Sequence, residues 1–185
     1  MVNGLSPIKL PALTKSNGVT IMEITNVKMA DLPEILRIEN LGFTAEEAGT
    51  EEQYRDRINK LSDTFLVARM DGKVVGFIVG PATKEAYVED WMYEKTPDNL
   101  VTGGHQIVFT IAVDPEYRGN SIGSKLLDAL EKNARIAKRK SISLTSLERN
   151  VPFYLKNGFE NEGVADSEHA DEVWYNLVKR LDDNL

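Results

Sequence analysis

The chain has 185 residues, 42% hydrophobic and 28% charged, which suits one domain with its own core. It has no cysteine and only two histidines, so disulfides, thiolate zinc sites, a cysteine nucleophile and a His-rich metal site are all excluded. The net charge of −7 comes from dispersed acids, which offers nucleic acid no basic surface, and no apolar run approaches the roughly 20 residues of a membrane span.

Residues 1–21 read as an N-terminal appendage and 22–185 as a single domain. Gly4, Pro7, Pro11 and Gly18 break any sustained period in the appendage. Pro7, Lys9, Pro11 and Lys15 also interrupt any signal-peptide core, so a cytoplasmic location is expected. Val19–Val27 reads as a strand. Asp31 is placed to cap a helix that tolerates Pro33 in its first turn and buries Leu32, Ile35, Leu36 and Ile38. A second helix starts at Thr50, where Thr50 and Gln53 have capping-box spacing, and runs through Tyr54 and Ile58.

Phe65–Arg69 and Val74–Val79 flank Asp71-Gly72, a hairpin signal, and Pro81 ends the second run. Pro81 to Gly104, with Tyr87, Trp91 and Tyr93, is long enough to serve as a binding loop or lid that contributes to the substrate site. Ile107–Val113 reads as one apolar strand, Ile122–Ala137 as a helix, and Ser141–Thr145 as a strand. Val151–Lys156 is a short helix, and Phe159–Val164 and Glu172–Lys179 close the chain as strands. That order predicts an α/β (α+β) architecture, a mixed sheet with helices on its faces.

The segment Ile111-Ala112-Val113-Asp114-Pro115-Glu116-Tyr117-Arg118-Gly119-Asn120-Ser121-Ile122-Gly123-Ser124 runs from a buried strand through a polar turn into a helix. A helix start has unsatisfied N–H groups and a favourable dipole for anions, and Arg118 adds a fixed cation. An ordinary strand-turn-helix junction is the alternative. The Walker and dinucleotide glycine patterns are both absent. In its full form, Arg118-x-x-Ser121-x-Gly123 followed by Leu126-Leu127 resembles the acetyl-CoA motif of the GNAT N-acetyltransferases, with Ser121 where a glycine is usual. Ser121 would narrow the approach to phosphate, while its hydroxyl could cap the helix.

A second segment, Phe153-Tyr154-Leu155-Lys156-Asn157-Gly158-Phe159, is similar to the stretch after the fifth GNAT strand, whose tyrosine faces the CoA sulfur. Expelling a thiolate needs a proton, and Tyr154 is the candidate donor; core packing is its alternative role. Ile38-Glu39-x-x-x-Phe43, Val151-Pro152-Phe153-Tyr154, and His169 shortly before Trp174 resemble the arylalkylamine (serotonin) N-acetyltransferase-like group. The paired strand histidines of the vertebrate enzymes in that group correspond here to Ile107 and Phe109, so that proton path is missing.

The resemblance implies a GNAT fold, mostly antiparallel with helices on both faces, splayed between its fourth and fifth strands. Ile111, Ala112 and Val113 would line the pantetheine arm, and Arg118, Gly119, Asn120, Ser121, Ile122, Gly123 and Ser124 the pyrophosphate. Acetyl-CoA is the implied cosubstrate and a small, arylalkyl-type amine the acceptor, with direct transfer, no metal, and no nucleic-acid or membrane partner. His105, Glu39, Glu46, Glu47 and water remain as bases, and a homodimer is left open. Acetylation of a protein N-terminus, a lysine or a polyamine, or silent acyl-CoA binding, are the other readings.

Overall fold

In the computed structural model, which describes residues 20–166 and 172–181, the strands form two sheets. The first contains β1 (Met22–Asn26), β2 (Phe65–Met70), β3 (Lys73–Val79) and β6 (Thr110–Val113), antiparallel in that order. The second runs β4 (Ala82–Thr83), β5 (His105–Ile107), β7 (Ser141–Leu147), β9 (Trp174–Arg180) and β8 (Glu160–Val164). Only β5 and β7 pair in parallel among the described strands. Most of residues 1–21, and His169, lie outside the described residues.

Helices α1 (Leu32–Gly42) and α2 (Glu51–Lys60) cover one face, where Ile35, Ile38, Tyr54 and Ile58 pack on Phe65, Val67 and Phe77. On the other face α4 (Ile122–Ile136) and α5 (Val151–Lys156) bury Leu126, Leu130 and Tyr154 against Ile78, Val108 and Leu144. A four-residue helix, α3 (Trp91–Glu94), sits within the long connection.

Several local expectations hold. The hairpin turns on Asp71 and Gly72, both with positive φ, the conformation a two-residue turn needs to match strand twist. The capping box is reciprocal: the Gln53 N–H donates to Thr50 Oγ1 at 3.2 Å, and the Thr50 N–H donates to Gln53 Oε1 at 2.9 Å. Asp31 is different. Its carboxylate accepts from the Lys28 N–H (2.8 Å) and Arg69 (2.7 Å), and makes no cap bond to α1. An ion pair to β2 thus replaces the expected cap.

The larger departure is the apolar run Ile107–Val113, which is not one strand. Its first part belongs to β5 and its second to β6, in different sheets. The Val108 N–H still donates to Ser143 O (2.9 Å), but the Phe109 N–H turns to Val79 O (2.8 Å). Beyond that point β6 follows β3 and leaves β7. The expected splay is present, and the break lies inside the fourth strand itself.

Two residues make the break tolerable. Buried Gln106 donates through Nε2 to Gly80 O and Ile107 O, both at 2.9 Å, occupying carbonyls the irregular backbone presents. Gly80 lies so close to the crossing chain that a Cβ would fall 1.9 Å from Ile107 O. Backbone, not a movable side chain, blocks that space. Gly80→Ala should therefore lower unfolding stability by about 1–3 kcal/mol, readable as a reduced denaturant midpoint. An unchanged midpoint would show that the crossing relaxes freely.

Candidate active site at the strand parting

The parting leaves one edge of β6 facing a gap. Asp114 N–H donates to Val75 O at 2.8 Å, and Phe77 pairs with Ala112 and Val79 with Thr110. In an antiparallel ladder, alternate residues direct their main-chain groups to the partner. Thr110 and Ala112 therefore face β3, while the N–H and C=O groups of Ile111 and Val113 face the gap. Of the three residues expected along a pantetheine arm, Ala112 is the one turned away.

Across the gap stand Leu144–Leu147 of β7 and the helix that follows. Tyr154 projects from α5, 7% exposed, its ring edge-on to Phe153 (5.1 Å) and Phe159 (5.7 Å). Tyr93 bridges the two sides. Its ring lies 4.8 Å from that of Phe109, next to β6, and its hydroxyl pairs with Thr145 on β7. Burial, and then the neighbouring Tyr93 phenol, push the Tyr154 hydroxyl well above the ordinary tyrosine value. Tyr154 is thus held in its protonated, donor form at neutral pH.

Only Tyr93 of the three loop aromatics turns inward. Tyr87 is exposed and donates to Glu162 on β8 (2.7 Å); exposed Trp91 donates to Glu89 (2.6 Å). The loop is fastened on the other side as well, by Gln53 Nε2 to Tyr93 O (3.3 Å) and Lys60 Nζ to Thr96 O (3.3 Å). It therefore spans from α2 to β8, across both sheets.

The turn before α4 has the conformation an anion site requires. Gly119 and Ser121 both have positive φ (83° and 57°), and Ser121 precedes the helix without capping it through its hydroxyl. The expected side-chain cap is absent because the left-handed backbone occupies that position instead. Lys125 N–H is bonded to Ser121 O, while Ile122, Gly123 and Ser124 begin the helix and lack intrahelical acceptors for their N–H groups. Arg118 and Asn120 are exposed beside them. Gly123 faces the ring of Phe153, where a Cβ would come to 3.1 Å.

The four candidate bases separate clearly. His105 bonds Ser141 Oγ (2.8 Å) at the start of β7, four residues or about 13 Å of strand from Thr145. Glu46 is exposed, and Glu47 closes a local turn to Thr44. Glu39 alone is buried, 2% exposed, with Oε1 accepting from the Gly49 N–H at 2.9 Å. Burial raises its carboxyl above the usual range, against the lowering pull of the Gly49 amide, Tyr54 and Arg57.

Local spacing does not mark Arg57, Tyr54 or Thr110 as site residues. Arg57 lies 5.0 Å from the Tyr54 ring centroid and 5.2 Å from that of Phe109, and Thr110 lies beside the Tyr54 hydroxyl. A signal was available: Tyr54, Arg57, Ile58 and Leu61 form one helical face, and a charge has no ordinary place there.

Among the described residues no helix is long and apolar enough to cross a membrane, and no cluster of three or more acidic, His or Cys side chains could hold a metal. Residues 62–161 match the family model described as an acetyltransferase (GNAT) domain. Glucosamine 6-phosphate N-acetyltransferase 1 of Dictyostelium discoideum is 34% identical over 119 residues, covering 62% of this chain and 70% of that protein. An N-alpha-acetyltransferase of Sulfurisphaera tokodaii is 29% identical over 154 residues, covering 80% and 86% respectively. Among solved structures, the GphF GNAT-like decarboxylase in complex with isobutyryl-CoA superposes with a TM-score of 0.75 at 16% identity, covering 86% of this chain and all of that one (100%). With its parted strands, positive-φ turn and matching domain, the chain belongs to the GNAT acetyltransferases and is an N-acetyltransferase.

Proposed function

We propose that this enzyme transfers the acetyl group of acetyl-CoA directly to the primary amine of a small acceptor within a ternary complex. The carrying observation is the convergence of Tyr154, Tyr93 and Phe109 on the open edge of β6. The Ile111 and Val113 main-chain groups hold the pantetheine arm. The N–H groups between Arg118 and Ser124, with the Arg118 guanidinium, hold the pyrophosphate. Val113 and its neighbours polarise the thioester carbonyl, as oriented donors do for a developing oxyanion.

Glu39 takes the proton from the acceptor nitrogen as it attacks the thioester carbon. The C–S bond breaks, and Tyr154 donates its phenolic proton to the departing sulfur. Burial suits both groups: it makes Glu39 a stronger base than an exposed glutamate and keeps Tyr154 in its donor form. Tyr93 and Phe109 offer ring faces to an aryl or alkyl body, consistent with an acceptor of the arylalkylamine type. The named relatives act on an amino sugar phosphate and on protein α-amino groups, so peptide N-termini are the second reading.

Three measurements bear on these roles. Tyr154→Phe keeps the ring packing and removes the donor, so the turnover rate should fall by roughly one to three powers of ten with little change in amine KM. A wild-type rate would leave thiolate departure to solvent. In the pH profile of kcat/KM, activity should rise through a value above the ordinary glutamate 4.5 as Glu39 ionises, and that limb should vanish in Glu39→Gln. No loss from Tyr154 ionisation should appear near pH 10, because its pKa is displaced upward. An acid limb surviving in Glu39→Gln would return the base role to water. Finally, Ser121→Gly removes a left-handed residue penalty of about 1 kcal/mol, partly offset by the freer unfolded chain. Acetyl-CoA affinity by calorimetry should hold or improve; a clear loss would mean that the Ser121 hydroxyl contacts the ligand.

A further inference from the structure

Arg57 is a buried cation that the acetyl-transfer chemistry does not use. It is 3% exposed, yet its Nε has no partner and neither terminal nitrogen makes a hydrogen bond among the described residues. The rings of Tyr54 and Phe109 stand at 5.0 and 5.2 Å from its guanidinium carbon. Ring contacts compensate a cation only in part, and its N–H donors still require acceptors. Glu39 is near enough to act on Arg57 through space, but the two form no ion pair. Glu39 Oε2 and the Tyr54 hydroxyl, both buried, lie against each other, with Thr110 beside the hydroxyl. Of these neighbours on α1 and α2, Arg57 is the one whose donors meet no acceptor.

Gly49 lets these groups approach its backbone closely. Its N–H holds Glu39, and a Cβ on it would stand 3.1 Å from Arg57 Nη1 and 2.8 Å from the Tyr54 ring. The arrangement thus offers a carboxyl group and a guanidinium beside one backbone that lacks a side chain, the guanidinium with unused donors. Burying an unpaired guanidinium is costly unless an acceptor arrives to meet it.

We infer that Arg57 recognises an anionic group on the acceptor, so that the acetylated amine belongs to a zwitterion. Its ammonium faces Glu39, and its carboxylate or phosphate meets the Arg57 guanidinium. This inference rests on the acetyl-transfer reading and narrows its acceptor. A simple cationic amine would satisfy Glu39 and leave Arg57 unpaired.

The test uses matched acceptors that differ only in the anion, with thiol release as the readout. One pair is 2-phenylethylamine and phenylalanine; the other is an amino sugar and its 6-phosphate, so the two pairs separate carboxylate from phosphate. In at least one pair the anionic member should be preferred in kcat/KM by roughly 10- to 100-fold, mostly through KM, as a charge-assisted contact allows. Arg57→Gln should bring that ratio towards one, and Arg57→Lys, which keeps the charge but not the fork, should retain part of it. Gly49→Ala, which crowds Nη1, should raise KM for the anionic member more than for its partner. If Arg57→Gln does not fold, the wild-type ratio and the Lys and Gly49 variants decide. Equal or inverted preference in both pairs would overturn the inference while leaving acetyl transfer intact. A preference that survives in folded Arg57→Gln would also overturn it. Thiol release with none of these acceptors, but with a peptide N-terminus, would instead remove the small-acceptor reading and this one together.

Discussion

Main-chain hydrogen bonding is obligatory in a folded interior, and one strand of this protein meets that demand with two different partners. Residues 105–107 pair with β7 and residues 110–113 with β3, and the change of partner at Val108 and Phe109 parts the sheet. Everything at the site descends from that change. The Ile111 and Val113 groups face the gap because the ladder to β3 takes the intervening residues. Gln106 and Gly80 allow the crossing, the first by supplying donors and the second by having no Cβ. Tyr93 and Tyr154 fill the gap from opposite sides. A buried edge with unsatisfied polar groups is unfavourable unless a ligand strand completes it, and an extended amide-bearing arm is the chemistry that does so.

The proposed acceptor side rests on a different violation of pattern. On α1 the positions Leu32, Ile35, Leu36 and Glu39 share one face, and on α2 so do Tyr54, Arg57 and Ile58, continued by the C-cap Leu61. Each stripe carries a single charge where an apolar residue belongs. Such placements reduce core stability, and that cost is what supports the proposed acceptor role of the two residues. The two side chains lie on either side of the Gly49 backbone, beside the rings of Tyr54 and Phe109, with Tyr93 stacked on Phe109.

Much of the fold was legible from local chemistry. The Asp71-Gly72 hairpin, the Thr50–Gln53 box and the strand-turn-helix that leads into α4 each have short-range causes that spacing exposes. The failures share a cause too. Nothing local tells an apolar run such as Ile107–Val113 that its halves will join different sheets, because the partners, β3 and β7, are distant in sequence. Asp31 has cap-like spacing, but Arg69 reaches it from β2 and wins the carboxylate. Tyr87, Trp91 and Tyr93 are equivalent as letters, and only the tertiary position of α3 turns Tyr93 inward. The buried status of Glu39 was readable in the helical period. A carboxylate at the seventh position of an apolar stripe is an anomaly, whereas Glu46 and Glu47 interrupt no stripe.

The two half-sites also need a common frame, and α1 provides it. Arg37 reaches Asp114 at 2.8 Å, and Asp114 in turn accepts the Glu116 N–H at 3.0 Å to set the turn that leads to α4. Burial alone would raise the Asp114 carboxyl; the Arg37 guanidinium and the Glu116 N–H outweigh it and hold the group ionised, below the usual carboxylate range. A buried carboxylate one residue from β6 would otherwise oppose any anion bound nearby, and the Arg37 charge offsets it locally. Glu39 follows Arg37 by two residues, about 200° further round the same helix. In the proposed function, one rigid element therefore orients the turn before α4 with one side chain and the acceptor amine with another. A shift of α1 would misplace both reactants at once, and transfer depends on their alignment to within a fraction of an ångström.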